Sequence, residues 1–280
     1  MTMSVEGRHV GIIGLGLIGG SIARDLLSRG FEITAYDRDR TSMAAADDAD
    51  LSAIHLVDTP REVLAAPLVI VAVPVRASIA VLGAIAPGLS TSHIVFDVGS
   101  TKREIVACAE SCGVGHQFVG CHPLTGDHQS GWQASRRGLF NRAPVFLCPG
   151  PRTPAHTVHT VHELWTLLGA NPEVMTPEAH DERVAWISHL PHMISAVLAL
   201  ALRGAGIERA QLGPGGRDMT RLAGGSPELW TDIAVQNAKP LLRALVEFER
   251  RLADVRGSIH RSDDGSVHES FRTAAEWFSG

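Results

Sequence analysis

The feature that most constrains this chain is Gly14-Leu15-Gly16-Leu17-Ile18-Gly19, set behind the apolar run His9–Gly14 and ahead of a stretch of helical composition. Three glycines in six residues would weaken any strand or helix that contained them, because glycine loses the most backbone freedom on ordering. A strand that ends in such a turn and passes straight into a helix opens a βαβ unit. The spacing gives each glycine a task. Gly14 permits the tight turn, Gly16 lets backbone approach a pyrophosphate, and Gly19 lets helix and strand pack closely. Leu17 and Ile18 begin the helix, where unpaired N–H groups and the positive dipole end favour phosphate.

Asp37 closes the next strand, 21 residues after Gly16. A carboxylate at that spacing accepts hydrogen bonds from both ribose hydroxyls and repels a 2′-phosphate, so NAD is expected over NADP. A turn-capping carboxylate is the alternative for Asp37. Arg38 and Arg40, just beyond, are the residues that would hold a 2′-phosphate. Val73 and Pro74, at the carboxyl end of a later strand, join the expected cofactor set, because open α/β sheets bind ligands at that edge.

Strands are expected at His9–Gly14, Glu32–Asp37, Leu68–Pro74, His93–Gly99, Gln117–Cys121 and Pro144–Cys148, with a weaker one at Ile54–Val57. Most are unbroken β-branched runs, the mark of strands covered on both faces of a parallel sheet. Gly20–Arg29, Arg76–Ala86 and Lys102–Cys112 have helical length between them. The alternation implies an α/β Rossmann-like domain, doubly wound around a mostly parallel sheet. Three prolines between Pro149 and Pro154 read as a linker. This places a dinucleotide-binding domain at 1–150 and an all-helical domain at 151–280. Pro154–Leu168, Pro177–Leu202 and Pro227–Leu252 carry helical periodicity there. The more polar tail from Gly257 reads as a loop and one short helix.

Composition excludes some classes. The net charge of −5 leaves no basic footprint for nucleic acid across the chain. No run of 18 apolar residues occurs, so no membrane span is expected. The N-terminus leads directly into a strand without a signal-peptide pattern. Cys108, Cys112, Cys121 and Cys148 form no CxxC pair and are expected as small buried hydrophobes in a reducing, cytoplasmic compartment. His189 and His192, three residues apart, lack a third ligand at metal spacing, so no metal site is expected. His156, His159 and His162 drift around their helix and read as a solvated face.

The residues suited to chemistry cluster at strand ends. Ser100, in Asp97-Val98-Gly99-Ser100-Thr101-Lys102, can hydrogen-bond a substrate or cap the next helix. His122 ends the following strand on the same edge and suits a general base near neutral pH. In the helical half, Arg217-Asp218-Met219-Thr220-Arg221 suits bidentate recognition of a carboxylate, with a surface ion-pair set as the alternative.

Taken together, these segments resemble the prephenate and arogenate dehydrogenase family of tyrosine biosynthesis. The matching pieces are GIIGLGLIGGSIA at 11–23, DVGSTK at 97–102, HPLTGDHQSG at 122–131, SHLPHMISAVLA at 188–199 and RDMTRLAGGSPELW at 217–230. The resemblance implies a Rossmann-like domain, a helical dimerisation domain that forms a homodimer, and a cleft between the two domains. It implies NAD-dependent oxidative decarboxylation of a cyclohexadienol. His122 would take the proton of the ring hydroxyl, and Ser100 would orient His122 or that hydroxyl. Arg221 would hold a substrate carboxylate with Asp218 in support. His189, His192 and Trp230 would line the substrate side. Prephenate, oxidised to 4-hydroxyphenylpyruvate, is the expected substrate; Thr125, His128 and Gly216 depart from the residues usual in relatives, which keeps arogenate and then a 4-amino analogue as alternatives. A hydroxyacid dehydrogenase sharing only the Rossmann half would need a motif lysine in the helical half, where only Lys239 occurs. A non-enzymatic NAD sensor would lack His122 or Arg221.

Overall fold

The computed structural model describes residues 8–39, 48–126 and 131–280. Eight strands form one sheet in the order β3-β2-β1-β4-β5-β6-β7-β8. They are β1 (His9–Ile13), β2 (Glu32–Tyr36), β3 (His55–Leu56), β4 (Leu68–Val71), β5 (Ile94–Asp97), β6 (Phe118–Pro123), β7 (Pro144–Pro149) and β8 (Asn171–Val174). All neighbours run parallel except β6 and β7. Every residue of β4 is buried. Its unbroken apolar run is what burial on both faces requires.

The helices of the sheet layer are α1 (Leu17–Leu27), α2 (Ala49–Ser52), α3 (Val75–Ile85), α4 (Arg103–Ser111) and α5 (Ala155–Leu167). Several strands end earlier than their apolar runs suggest. Gly14, Asp37, Val73, Pro74 and Gly99 all lie just past a strand, in the loops of the carboxyl edge. β6 runs further than expected and carries His122 into the ladder, opposite Phe146 of β7.

The expected boundary at 150/151 falls inside the sheet layer. Val161, Leu164 and Trp165 of α5 are fully buried in the same core as β1, β4 and β7. Trp165 packs edge-on against Phe140, with ring centroids 5.2 Å apart. β8 then pairs with β7. The proline cluster therefore turns the chain within this domain, and the domain runs to about residue 174. The helical periodicity of α5 was legible, but not the layer it covers.

The helical domain begins with one long helix, 177–204. It comprises α6 (Pro177–Val184), a wide π-turn at Ala185–His189, and α7 (Leu190–Gly204). Pro191 offers no N–H to the carbonyl four residues back, and the chain widens where that bond would fall. α8 (Pro214–Met219), α9 (Pro227–Gln236), α10 (Ala238–His260) and α11 (Asp264–Ser279) follow. The expected single helix Pro227–Leu252 is two helices broken at Asn237. The expected tail loop is instead the end of α10 and a 16-residue α11, whose N-cap Asp263 side chain accepts from the Ser266 N–H. Cys121 and Cys148 are buried as expected. Cys112 is exposed and Cys108 half-buried on α4, so those two are not core residues.

Candidate active site at the sheet edge

The glycine loop is shaped by close approach. Gly14 has φ +98°, and a Cβ there would lie 2.4 Å from the Ala72 carbonyl oxygen. A Cβ on Gly19 would lie 1.9 Å from the Gly14 carbonyl oxygen. Gly16, by contrast, faces open space within 4 Å. It is the N-cap of α1 and makes no side-chain cap, so the first N–H groups of that helix, those of Leu17 and Ile18 among them, are not capped by it. An open cradle over an uncapped helix start is what a pyrophosphate needs. Asp37 Oδ2 accepts from the Leu15 N–H at 2.6 Å and Oδ1 from the Asp39 N–H at 2.8 Å. Each oxygen keeps a further lone pair. Both the turn-capping and the ribose-binding readings of Asp37 are thus accommodated by one carboxylate. Arg38 is exposed beside it. Arg40 lies outside the described residues.

Along the same edge, His122 lies at the end of β6 with 9% of its surface exposed. Its Nδ1 is 2.9 Å from His180 Nε2. His180 Nδ1 is 2.8 Å from Asp181 Oδ1. The Asp181 carboxylate also accepts the N–H groups of Lys102 at 2.8 Å and Arg103 at 3.1 Å. α4 is therefore capped from the helical domain. Ser100 does not cap it, as the alternative reading expected. The Ser100 hydroxyl has no hydrogen bond among the described residues. Lys102 is fully buried and pairs with Asp97, which also accepts the Gly99 and Cys121 N–H groups. His180, Asp181, Lys102 and Asp97 were not among the expected site residues. His180 and Asp181 stand among Glu178, Glu182 and Arg183 in a polar helix start, so nothing local in the sequence marked them as buried.

A second cluster continues from the first. Asn237 donates from Nδ2 to the Asp181 carbonyl at 2.7 Å and lies 3.1 Å from His189 Nδ1. In a regular helix His180 and His189 would lie about two and a half turns apart, on opposite faces. The π-turn brings both towards Asp181. His189 is 1% exposed, and its Nε2 is buried without a partner among the described residues. It therefore braces the junction with Asn237 rather than presenting an open face. His192 stacks on Trp230, with centroids 3.5 Å apart and planes at 22°. Its Nδ1 donates to the Ser188 carbonyl at 3.1 Å.

Arg221 is exposed and lines a cavity of about 680 Å³ with Leu202, Arg203, Arg209 and Leu212. That wall includes neither His122 nor Trp230. Asp218 is exposed and makes no ion pair with Arg221 or Arg217 among the described residues, so the expected arginine support is not formed. Thr125 Oγ1 donates to the Leu139 carbonyl at 3.3 Å. His128 lies outside the described residues. No group of three His, Cys, Asp or Glu side chains comes together as metal ligands among the described residues.

The electrostatics favour neutral imidazoles. Burial holds His122 well below its ordinary value, and His180 and the Lys102 ammonium act in the same direction. Burial lowers His180 as well, against the pull of Asp181. Burial brings His189 down to about 4. His192 is lowered by burial and by the Arg221 charge. The unfolded chain takes up these protons from about pH 6.5 downward, whereas the folded chain does so only lower. Stability present above pH 6.5 should therefore be lost on acidification. His189 alone should account for about 3 kcal/mol by pH 4. Thermal melts from pH 7 to 4 test this. A Tm drop reduced by His189→Gln is expected, and a Tm flat across that range would contradict it.

A dinucleotide cradle, a histidine on the same sheet edge and a helical domain reaching into the cleft define an NAD-dependent dehydrogenase of two-domain type. The nucleotide-binding domain of prephenate dehydrogenases matches residues 22–174 and their dimerization domain residues 176–273. The chain belongs to the prephenate dehydrogenase family. It is 35% identical to the cyclohexadienyl dehydrogenase of Zymomonas mobilis over 276 residues, covering 95% of this chain and 93% of that one. Its fold matches prephenate dehydrogenase from A. aeolicus in complex with hydroxyphenyl propionate and NAD+ at TM-score 0.90 and 29% identity, over 99% of both chains. It also matches Synechocystis arogenate dehydrogenase at TM-score 0.82 and 30% identity, over 97% of this chain and 99% of that one. The chain is an oxidoreductase of this family, and NAD is its cofactor.

Proposed function

We propose that the chain oxidises and decarboxylates prephenate to 4-hydroxyphenylpyruvate, with His122 as the base. The observation that carries this reading is the placement of His122. It is neutral and buried at one nitrogen, with the other nitrogen free of partners among the described residues. Bound NAD supplies the acceptor for a hydride from ring C4. His122 Nε2 takes the proton of the C4 hydroxyl as that hydride leaves. The C1–carboxylate bond then breaks, and its electrons aromatise the ring as CO2 departs. The proton on His122 returns to the phenolate oxygen. Ser100, next to this edge with an uncommitted hydroxyl, holds the substrate hydroxyl. Arg221 holds a side-chain carboxylate, with His192 and Trp230 forming an aromatic wall beside it; its effect on His192 supports their proximity. Leu17 and Ile18 N–H groups take the pyrophosphate, Asp37 the ribose, and Val73 and Pro74 the wall beside Gly14.

Arogenate remains the second reading, because a cyclohexadienyl dehydrogenase and an arogenate dehydrogenase are both similar to this chain. The test is NAD reduction by the purified chain with prephenate and arogenate, each repeated with NADP. Turnover of prephenate with NAD supports the proposal. Turnover of arogenate alone, or with NADP alone, overturns the substrate or the Asp37 assignment respectively.

We also infer a homodimer through the helical domain. Val197, Leu200, Leu242 and Val246 are each about 60% exposed, and Phe271, Trp277 and Phe278 more so. That is more apolar surface than a monomer leaves in water. The 177–204 helix is long and apolar enough to cross a membrane. Its buried Asp181, tied to α4, favours packing against protein instead. The four free thiols fit a reducing, cytoplasmic setting.

A further inference from the structure

We propose that His180 and Asp181 are positioning residues that set the tautomer of His122, leaving its Nε2 bare to receive the proton. The inference rests on the reading of His122 as base. It follows from donor and acceptor bookkeeping along one chain of contacts.

An ionised carboxylate only accepts hydrogen bonds. Asp181 already accepts the Lys102 and Arg103 N–H groups, so His180 must donate to it from Nδ1. A neutral His180 then has only a lone pair at Nε2. His122 must donate to that lone pair from Nδ1, 2.9 Å away. The proton of neutral His122 is thereby committed to Nδ1, and Nε2 is the remaining base. A protonated Asp181 would reverse every bond and place the His122 proton on Nε2. Burial pushes Asp181 up, but the bonds from His180, Lys102 and Arg103 outweigh it and bring its carboxyl below the usual range.

The arrangement is held from several sides. Asn237 pins the Asp181 carbonyl. Phe146 packs edge-on against the His180 ring, with centroids 5.5 Å apart. The charged and titratable groups facing His122 are His180 from α6, His189 from the π-turn and Lys102 ahead of α4, the last paired with Asp97. When Nε2 takes the substrate proton, the new positive charge is passed as a hydrogen bond to His180 and faces the Asp181 carboxylate beyond. The proton returns to the product oxygen, so the relay ends each cycle as it began. The two members from α6 bind neither substrate nor cofactor. They make the base depend on the helical domain being docked on the sheet.

The test uses the full chain with NAD and three variants. Asp181→Asn is expected to lower kcat about 10²–10⁴-fold at neutral pH, as loss of the correct histidine tautomer does elsewhere. KM for NAD should stay within about threefold, since the glycine loop is untouched. His180→Leu should fall similarly. His180→Gln, whose amide oxygen still accepts from His122 Nδ1–H, should recover about tenfold or more over His180→Leu. 15N NMR of histidine-labelled enzyme, with His122 assigned by its loss in His122→Asn, should show a bare Nε2 in the wild type and a protonated one in Asp181→Asn. Turnover of Asp181→Asn and His180→Leu within threefold of wild type would overturn the proposal, as would a protonated Nε2 in the wild type. Asp181 also caps α4, so if Asp181→Asn does not fold, the His180 pair and the wild-type spectrum decide. A wild type silent toward cyclohexadienol acids, yet with a bare Nε2 that protonates in Asp181→Asn, would sink the substrate reading and leave the relay standing.

Discussion

Replacing His122 with asparagine is expected to lower kcat about 10²–10⁴-fold while leaving NAD affinity within about twofold. Asparagine reaches about as far as the imidazole Nδ1, so the bond toward His180 survives in the variant. What disappears is Nε2, which has no hydrogen-bond partner among the described residues and is the nitrogen proposed to take the proton. The glycine loop follows β1, three strands away from β6 in the sheet order, and does not depend on His122. Steady-state formation of reduced nicotinamide and NAD titration by fluorescence separate the two effects. A kcat within fivefold of wild type would remove His122 from the base role. The pH profile gives a second check. Only neutral His122 accepts a proton, and burial keeps it neutral well below its ordinary 6.5. The acid limb of kcat/KM should therefore lie below pH 6.5 and vanish in His122→Asn.

Replacing Arg221 with alanine is expected to raise KM for the substrate by about 30- to 1,000-fold, equivalent to about 2–4 kcal/mol, with kcat little changed. Arg221 makes no ion pair among the described residues, so its guanidinium is available to a ligand. Its charge is felt by His192, which stacks on Trp230. A carboxylate held between guanidinium and stacked rings would lose most of its water, and that sets the magnitude. Arg221→Lys should recover only part of the loss, because an ammonium cannot make the two parallel bonds of the guanidinium fork. If the carboxylate stayed hydrated at the cavity rim, the change would be below about 1 kcal/mol and would fade with salt. A KM unchanged in Arg221→Ala would take Arg221 out of the binding site.

These two residues also show how unevenly the sequence speaks. His122 was legible because it ends a strand, and strand ends on one edge of a parallel sheet converge. Arg221 was legible as a type and a spacing, but its surroundings were not. The structure sets it in a cavity with Arg203 and Arg209, apart from the wall around His122. Asp218 was expected to buttress it and does not. Ser100 was readable as either a cap or a ligand group. Asp181, 79 residues beyond Lys102, takes the cap, and the Ser100 hydroxyl makes no hydrogen bond among the described residues.

The local grammar of this protein is written along its chain. Glycine at 14 and 19 permits a turn that a Cβ at either position would block, apolar runs dictate buried strands, and 3.6-residue periodicity dictates the helices. Each depends on residues near one another in the chain, so each can be read along it. Tertiary structure alone decided what those elements meet. It assigned α5 and β8 to the sheet, since only packing reveals which layer an amphipathic helix covers. It split the Pro227–Leu252 periodicity at Asn237, whose amide is drawn to Asp181 and His189. It brought His180 from the helical domain to within 2.9 Å of His122 across 58 residues of chain. Which nitrogen of a histidine bears the proton is set by its hydrogen-bond partner, and that partner is chosen by the fold, not by the neighbours in sequence.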